Sequence, residues 1–195
     1  MAATLSLGAA DESQTIFRKL LPDGRAIRIE KSVRVERHSR NETNPPALPT
    51  NMNYVVTALK AEVSNYTMYV RDEHGAEAIA WEKEQSLVPI PSAGFSDALK
   101  VFDVAAKGDQ IAILYSTREV TVDIAKKMEG GYTVVAAHPV FSNSSFKVLN
   151  TGQLAWMTDL YAVLETTSEK RQTELYRVTS NSLLKVFPQC EGVGQ

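Results

Sequence analysis

The chain has 195 residues, of which 44% are hydrophobic and 23% are charged, and its formal net charge is −2. This length suits a single domain spanning residues 1–195, and this composition excludes a chain that is disordered throughout. The negative net charge argues against nucleic-acid binding driven by total charge, although a local basic cluster can still contact phosphates.

The cysteine content and the first residues of the chain indicate the cellular compartment in which the protein is expected. The single cysteine, Cys190, cannot form an internal disulfide bond, and the first residues lack a basic segment followed by an apolar one. No run of 18 apolar residues occurs anywhere. These features predict a cytoplasmic protein that is not secreted by a signal peptide and has no contact with a membrane.

The N-terminal half alternates β-prone runs with turn residues. Gln14 to Leu21 and Arg25 to Arg37 flank Leu21-Pro22-Asp23-Gly24, in which proline presets φ and glycine accepts a left-handed conformation. Three more strands are predicted at 54–63, 66–71 and 77–81, with a turn at Ser64-Asn65. This section is therefore expected to be an antiparallel meander, and residues 41–50, NETNPPALPT, a proline-rich loop.

The predicted strand from Arg25 to Arg37 carries a basic repeat. Its odd-numbered apolar residues are expected to face the core, namely Ile27, Ile29, Val33 and Val35. A basic residue recurs at every third position, at Arg25, Arg28, Lys31, Arg34, Arg37 and Arg40, and the six are opposed only by Glu30 and Glu36, for a local net charge of +4. The repeat fits either a surface for phosphate or an acidic partner, or a charged edge strand that discourages unwanted pairing.

Residues 96–107 have the features of a helix. Ser96 can cap it, Leu99, Phe102 and Ala106 fall on one face, and Gly108 stands where a C-cap glycine belongs. Residues 111–115 then form a short apolar run typical of a buried strand.

The stretch from Arg118 to Val140 predicts a β-hairpin. Its first half alternates apolar and polar residues from Val120 to Ile124, Glu129-Gly130-Gly131 supplies the turn, and the second run extends from Tyr132 until Pro139 stops it. This hairpin is the clearest structural signal in the sequence.

The C-terminal third is ambiguous between strand and helix. The apolar spacing over 159–184 fits a strand at 160–164 followed by a helix, and it also fits a helix throughout. Thr166-Thr167-Ser168-Glu169 resembles a capping box, which favours a helix over 168–184. Residues 188–195 are expected to be a flexible tail.

Catalytic and metal-binding patterns are absent from the sequence. The three histidines, His38, His74 and His138, are scattered and lie beside no cysteine or paired carboxylate, and no glycine-rich phosphate loop or nucleophile elbow occurs. The sequence therefore predicts a protein that is not an enzyme and has no cofactor or metal. An enzyme assembled from residues far apart in the sequence remains a third alternative.

From Glu119 to Leu184 the predicted order of elements is a hairpin, a polar loop, the pair Ala155-Trp156, a strand and a capped helix. This order resembles the coat proteins of single-stranded RNA bacteriophages, whose dimers form a continuous antiparallel sheet with helices on one side and RNA on the other. The resemblance implies a self-assembling homo-oligomeric subunit of a virion. It also implies that Arg118, Lys126 and Lys127 contact RNA. Independently of the resemblance, the basic repeat predicts nucleic-acid contacts by Arg28, Lys31, Arg34 and Arg37.

A second resemblance is to β-propeller blades. Four β-prone units recur at intervals of roughly blade length, namely 25–30, 66–71, 110–115 and 159–164. This resemblance implies a protein–protein docking module whose loops carry the contacts.

Taken together, these observations predict a β-dominated α+β domain with a largely antiparallel sheet and helices at 96–107 and 168–184. The expected function is that of a non-enzymatic, self-assembling structural protein that contacts nucleic acid, and a propeller-like docking module is the alternative.

Overall fold

A computed structural model describes residues 13–38, 59–87, 98–142, 147–168, 170–179 and 181–186. These residues form twelve β-strands: β1 (Gln14–Leu20), β2 (Ala26–His38), β3 (Leu59–Arg71), β4 (Glu77–Leu87), β5 (Lys100–Lys107), β6 (Gln110–Ser116), β7 (Glu119–Met128), β8 (Gly131–Ser142), β9 (Val148–Trp156), β10 (Leu160–Thr167), β11 (Arg171–Val178) and β12 (Leu183–Val186). The predicted loop at 41–50 and the predicted tail at 188–195 lie outside the described residues.

The strands form three antiparallel sheets of four strands each. Strands β1–β4 make the first sheet, β5–β8 the second and β9–β12 the third, and in each sheet consecutive strands are neighbours. Each sheet is thus a simple meander, and the prediction of a largely antiparallel β protein is confirmed.

The sheets are stacked with the second sheet in the middle. Two separate apolar layers fill the spaces between them, one around Ile29, Met68 and Trp81 between the first and second sheets, the other around Leu154 and Leu164 between the second and third. Within the stack, β4 packs against β8 and β5 packs against β9, so the sheets are aligned in strand order.

Strand β6 is buried on both faces because it lies at the centre of this stack. Ile111, Ile113 and Tyr115 belong to the first apolar layer, whereas Ala112 and Leu114 belong to the second. The continuous apolar run in the sequence is therefore a strand covered on both sides, as predicted.

The predicted helix at 96–107 is wrong. Its described residues include β5, and Gly108, with φ of 57°, and Asp109 form the two-residue turn that joins β5 to β6. Glycine at this position serves a hairpin and not a helix C-cap. Pairing with β6 outweighed the helical spacing of the apolar residues. A β-bulge between Val101 and Asp103 breaks the simple alternation of the strand, because it changes which side chains face each apolar layer.

The predicted helix at 168–184 is also wrong. Thr167 pairs with Arg171, and the Ser168 N–H donates to the Lys170 carbonyl over 3.2 Å, so the apparent capping box is the turn between β10 and β11. Strand β11 then pairs with β10 on one side and with β12 on the other. No helix occurs in the part of the chain that the structure describes, and none of it contains a helix of a length and apolarity suited to crossing a membrane.

Smaller corrections concern the first sheet and the hairpin. Ser64-Asn65 is not a turn, since both residues pair on both sides within the continuous strand β3. Ile27 and Ile29 are buried as predicted, whereas Val33 is 36% exposed. The predicted hairpin at 118–140 is confirmed as β7 and β8, but β8 continues past Pro139, which pairs with Thr121 beside a bulge.

Candidate functional site

The predicted basic strand β2 is not an edge strand over its first half. It pairs with β3 along its whole length and with β1 from Ala26 to Lys31. The interpretation of the repeat as a charged edge is therefore wrong for these residues, and the contacts of each basic side chain decide what the strand presents.

Arg28 lies on the face of the first sheet that points away from the second. Its guanidinium pairs with Glu30 and, at 3.0 Å, with Glu77, and it stacks over the Tyr69 ring at 4.5 Å. The hydrogen bond with Glu77 raises the pKa of Arg28 above its usual value, against the opposing effect of burial. The guanidinium is thus charged and held in place by two carboxylates.

The other residues of the repeat do not form one surface with Arg28. Lys31 has the opposite strand parity and lies 4.0 Å from Glu62, with its ammonium over the Tyr66 ring at 5.9 Å. Arg34 shares the parity of Arg28 and pairs with Glu84 at 3.1 Å. Arg37 belongs to β2, and its side chain lies outside the described part of the structure.

The basic residues predicted from the coat-protein resemblance lie on the second sheet. Arg118 is exposed at the turn between β6 and β7, whereas Lys126 and Lys127 lie near the far end of β7, about 25 Å away at the rise of an extended strand. Lys126 approaches Asp109 at 4.0 Å. These residues therefore form neither one cluster nor a continuation of the basic strand.

The structure places two further arginines beside Arg28. Arg18 is its direct partner across β1 and β2, and Arg71 is the partner of Ala26 across β2 and β3. With Leu20, Ala26 and Glu77 they line an open groove of about 480 Å³, which we call the arginine groove. Sequence reasoning missed Arg18, although the turn at 21–24 pairs it with Arg28. It also missed Arg71, because the register between β2 and β3 cannot be predicted when residues 39–58 separate the two strands in the sequence.

A partly buried carboxylate joins all three sheets. Asp103 on β5 pairs with Lys19 Nζ of β1 at 2.5 Å, and its other oxygen accepts the Leu154 N–H of β9 at 2.8 Å. Asp103 Oδ1 also accepts the Val104 N–H at 2.8 Å. The first strands of the three sheets therefore meet at one side chain.

A fully buried carboxylate lies between the first and second sheets. Asp123 is 2% exposed and accepts the Trp81 Nε1–H over 2.8 Å, with Lys83 Nζ 3.8 Å away. Burial opposes the charge on Lys83, but the hydrogen bond with Tyr115 and the attraction of Asp123 outweigh it, so the pKa of Lys83 is raised. Burial also raises the pKa of Tyr115, which keeps this phenol neutral.

The oxygen Asp123 Oδ1 has no hydrogen-bond partner among the described residues, and the same holds for Tyr66 OH and Ser64 Oγ. Tyr66 is paired with Lys83 across β3 and β4. The Lys83 ammonium thus has the Asp123 carboxylate and the Tyr115 hydroxyl as partners, and the arrangement resembles a structural ion pair.

A third cluster lies on the side of the third sheet that faces the second. Glu174 is 4% exposed and accepts from Lys147 at 2.6 Å, from Lys185 at 2.5 Å and from the Tyr176 hydroxyl at 3.0 Å. Burial alone would raise the pKa of Glu174, but these three donors lower it below its usual value. Burial and the adjacent carboxylate raise the pKa of Tyr176 to about 12.

The aspartates that could have met as one cluster are separated. Asp103 and Asp123 belong to the two different clusters above, and Asp109 lies in the exposed turn before β6. Among the described residues, no three His, Cys, Asp or Glu side chains are grouped closely enough to hold a metal ion.

No family model matches the chain, and neither a curated protein nor a solved structure is significantly similar to it. Its function is therefore argued from its own residues.

Proposed function

We propose that this chain is a non-enzymatic protein–protein docking module built from blade-like sheets. The observation that carries the proposal is the stacking of three four-stranded meanders in chain order, with their first strands joined at Asp103. Sheets of this type, arranged side by side around a common region, are the units of propeller architectures. Such arrays present rigid outer surfaces on which loops and strands bind partners.

The polar chemistry of the interior supports a scaffold rather than an enzyme. Asp103 and Glu174 are each satisfied by a lysine and by further donors, and the space around them is filled by apolar layers. A catalytic carboxylate needs access to a substrate, whereas Asp103 links the three sheets and Glu174 links strands within the third sheet. The proposed module therefore binds partners without a chemical step and without a cofactor.

The propeller resemblance fits the described residues in a modified form. Of the four units expected from the sequence, 25–30, 110–115 and 159–164 correspond to the second strand of each sheet. Residues 66–71 belong to β3, the third strand of the first sheet, and are not a unit of their own. The three second strands, β2, β6 and β10, support a repeated unit of four strands.

The experiment that tests docking is a selection of displayed random peptides on the folded full chain. We expect enriched peptides that bind the folded protein saturably, as measured by titration calorimetry, and that do not bind the urea-unfolded chain. Failure to enrich any peptide, or equal binding to the folded and unfolded chains, would show that the surface does not dock peptides.

The second candidate is a self-assembling coat subunit that contacts nucleic acid. The specific observation in its favour is that Arg18, Arg28 and Arg71 lie together on one sheet face, as an RNA-contacting surface would require. The residues matched by the coat-protein resemblance, 119–184, are divided between the second and third sheets, and this division favours docking over a continuous assembled sheet.

Light scattering after size-exclusion chromatography separates the two candidates. The docking proposal predicts a protein free of nucleic acid, with an ultraviolet absorbance spectrum that its own aromatic residues account for. A large homo-oligomer that co-purifies with RNA would favour the coat subunit instead.

A further inference from the structure

We propose that the arginine groove docks an acidic segment of a partner protein, with partner carboxylates bound by Arg18 and Arg71. This inference rests on the proposed docking function and names the surface and the chemistry of the partner. The groove is open, has a volume of about 480 Å³ and lies on the face of the first sheet that points away from the second.

On this face the described arginines and glutamates are equal in number, namely Arg18, Arg28, Arg34 and Arg71 against Glu30, Glu77, Glu82 and Glu84, but the ion pairs are unevenly distributed. Arg18 stands directly opposite Arg28 in the β1–β2 register, and like charges in that position repel each other. Glu30 and Glu77 pair with Arg28, and Glu84 pairs with Arg34, whereas Arg18 and Arg71 form no ion pair with a described carboxylate, although Glu77 stands opposite Arg71 in the β3–β4 register. Two exposed guanidinium groups without an ion pair among the described residues therefore stand near the ends of β1 and β3, where an external anion can reach them.

A carboxylate is a suitable anion for these groups. The planar guanidinium donates two parallel hydrogen bonds to a carboxylate, and the fork geometry makes this pairing directional. Arg28 already shows the chemistry on this face through its bond to Glu77. A partner carboxylate at Arg18 or Arg71 would repeat it.

The neighbouring residues favour a protein segment over a nucleic acid. Glu77 lines the groove and Glu30 lies beside it, so a continuous polyanion would meet two negative charges. Leu20 is 73% exposed next to the groove and Ile79 is 47% exposed on the same face, and both offer contacts to apolar side chains. A segment that alternates acidic and apolar residues matches this surface.

The test is a fluorescence-anisotropy titration with a short labelled peptide of alternating glutamate and leucine. The comparison ligands are the same peptide with glutamine in place of glutamate and a single-stranded oligonucleotide of equal charge. The groove variant is Arg18→Gln with Arg71→Gln. The matched control is Arg171→Gln with Arg177→Gln, which removes the same charge from the third sheet, where these arginines pair with Glu165 and Asp159.

We expect the wild-type protein and the control variant to bind the glutamate peptide equally, and the groove variant to bind it at least about tenfold more weakly, since two charge-assisted contacts are lost. Thermal unfolding of the groove variant should match that of wild type because both arginines are exposed. Replacing both with glutamate should transfer binding to a lysine–leucine peptide.

Equal weakening by the groove and control variants, or tighter binding of the oligonucleotide than of the peptide, would overturn the inference. Displayed peptides that bind the folded chain but lack acidic residues, and that are unaffected by Arg18→Gln with Arg71→Gln, would leave the docking function standing while refuting the acidic partner.

Discussion

Replacement of Asp103 by alanine tests the junction of the three sheets. The carboxylate is 13% exposed and accepts two backbone N–H groups, from Val104 and from Leu154, each at 2.8 Å. Lys19 is 33% exposed and also donates to the Val104 carbonyl at 2.7 Å, so it can turn to water when the carboxylate is removed. Hydrogen bonds to a charged group contribute about 1.5–3 kcal/mol each, and we expect Asp103→Ala to lower the free energy of unfolding by about 3 kcal/mol.

The assay is urea unfolding followed by tryptophan fluorescence. Trp81 and Trp156 report on the two different apolar layers, so a single transition would show that the stack unfolds as one unit. With a slope of about 2 kcal/mol per M, the midpoint of Asp103→Ala should fall by about 1.5 M. The control is Asp159→Ala, which breaks an exposed pair with Arg177 at 3.8 Å and should cost no more than about 1 kcal/mol. If the two variants lose the same stability, Asp103 does not hold the sheets together.

Three further results are expected. Gly152→Ala should destabilise the protein by about 1–3 kcal/mol, because a Cβ there would lie 2.4 Å from Leu114 Cδ2, and combining it with Leu114→Ala should cost less than the sum of the single changes in the same urea assay. The folded-state pKa of Glu174 is lowered, so its contribution to stability is present above the ordinary value of 4.5 and is lost as the pH falls through the folded-state pKa. Glu174→Gln should therefore flatten the loss of stability below pH 4.5, and a parallel decline in both proteins would contradict this assignment. If the basic repeat contacts phosphates, Arg34→Ala with Arg37→Ala should make the salt dependence of nucleic-acid affinity shallower by roughly 0.7 to 0.9 per lost contact, whereas the docking account predicts no change in slope.

The local signals in the sequence were sufficient to predict the hairpins. Gly24 and Gly131 have positive φ, at 85° and 129°, and each lies in a turn that the sequence predicts. These turns depend on residues close together in the chain, so glycine and the alternating pattern were enough to place β1 with β2 and β7 with β8.

The helix predictions failed because they rested on the same local information. A spacing that puts Leu99, Phe102 and Ala106 on one helical face also occurs in an irregular strand with a bulge. The outcome was decided by pairing with β6 and by burial between two sheets, which no short window of sequence contains.

Only part of the candidate site could have been predicted from the sequence. The turn at 21–24 places Arg18 opposite Arg28, so this pair could have been predicted from the hairpin, although it was not. Arg71 lies beside them because of the register between β2 and β3, two strands that residues 39–58 separate in the sequence. The carboxylates that pair with Arg28 and Arg34 come from β2 itself and from β4. Ion pairing between strands, rather than the density of basic residues, decides which arginines are available.

The most direct test of the central claim, docking on the outer face of the first sheet, is an NMR titration of the ¹⁵N-labelled full chain with the glutamate–leucine peptide. We predict that the amide shifts concentrate in β1, β2 and β3 around Arg18, Arg28 and Arg71, with the third sheet unchanged. Shifts centred on β9–β12, or no saturable shifts at all, would contradict the account.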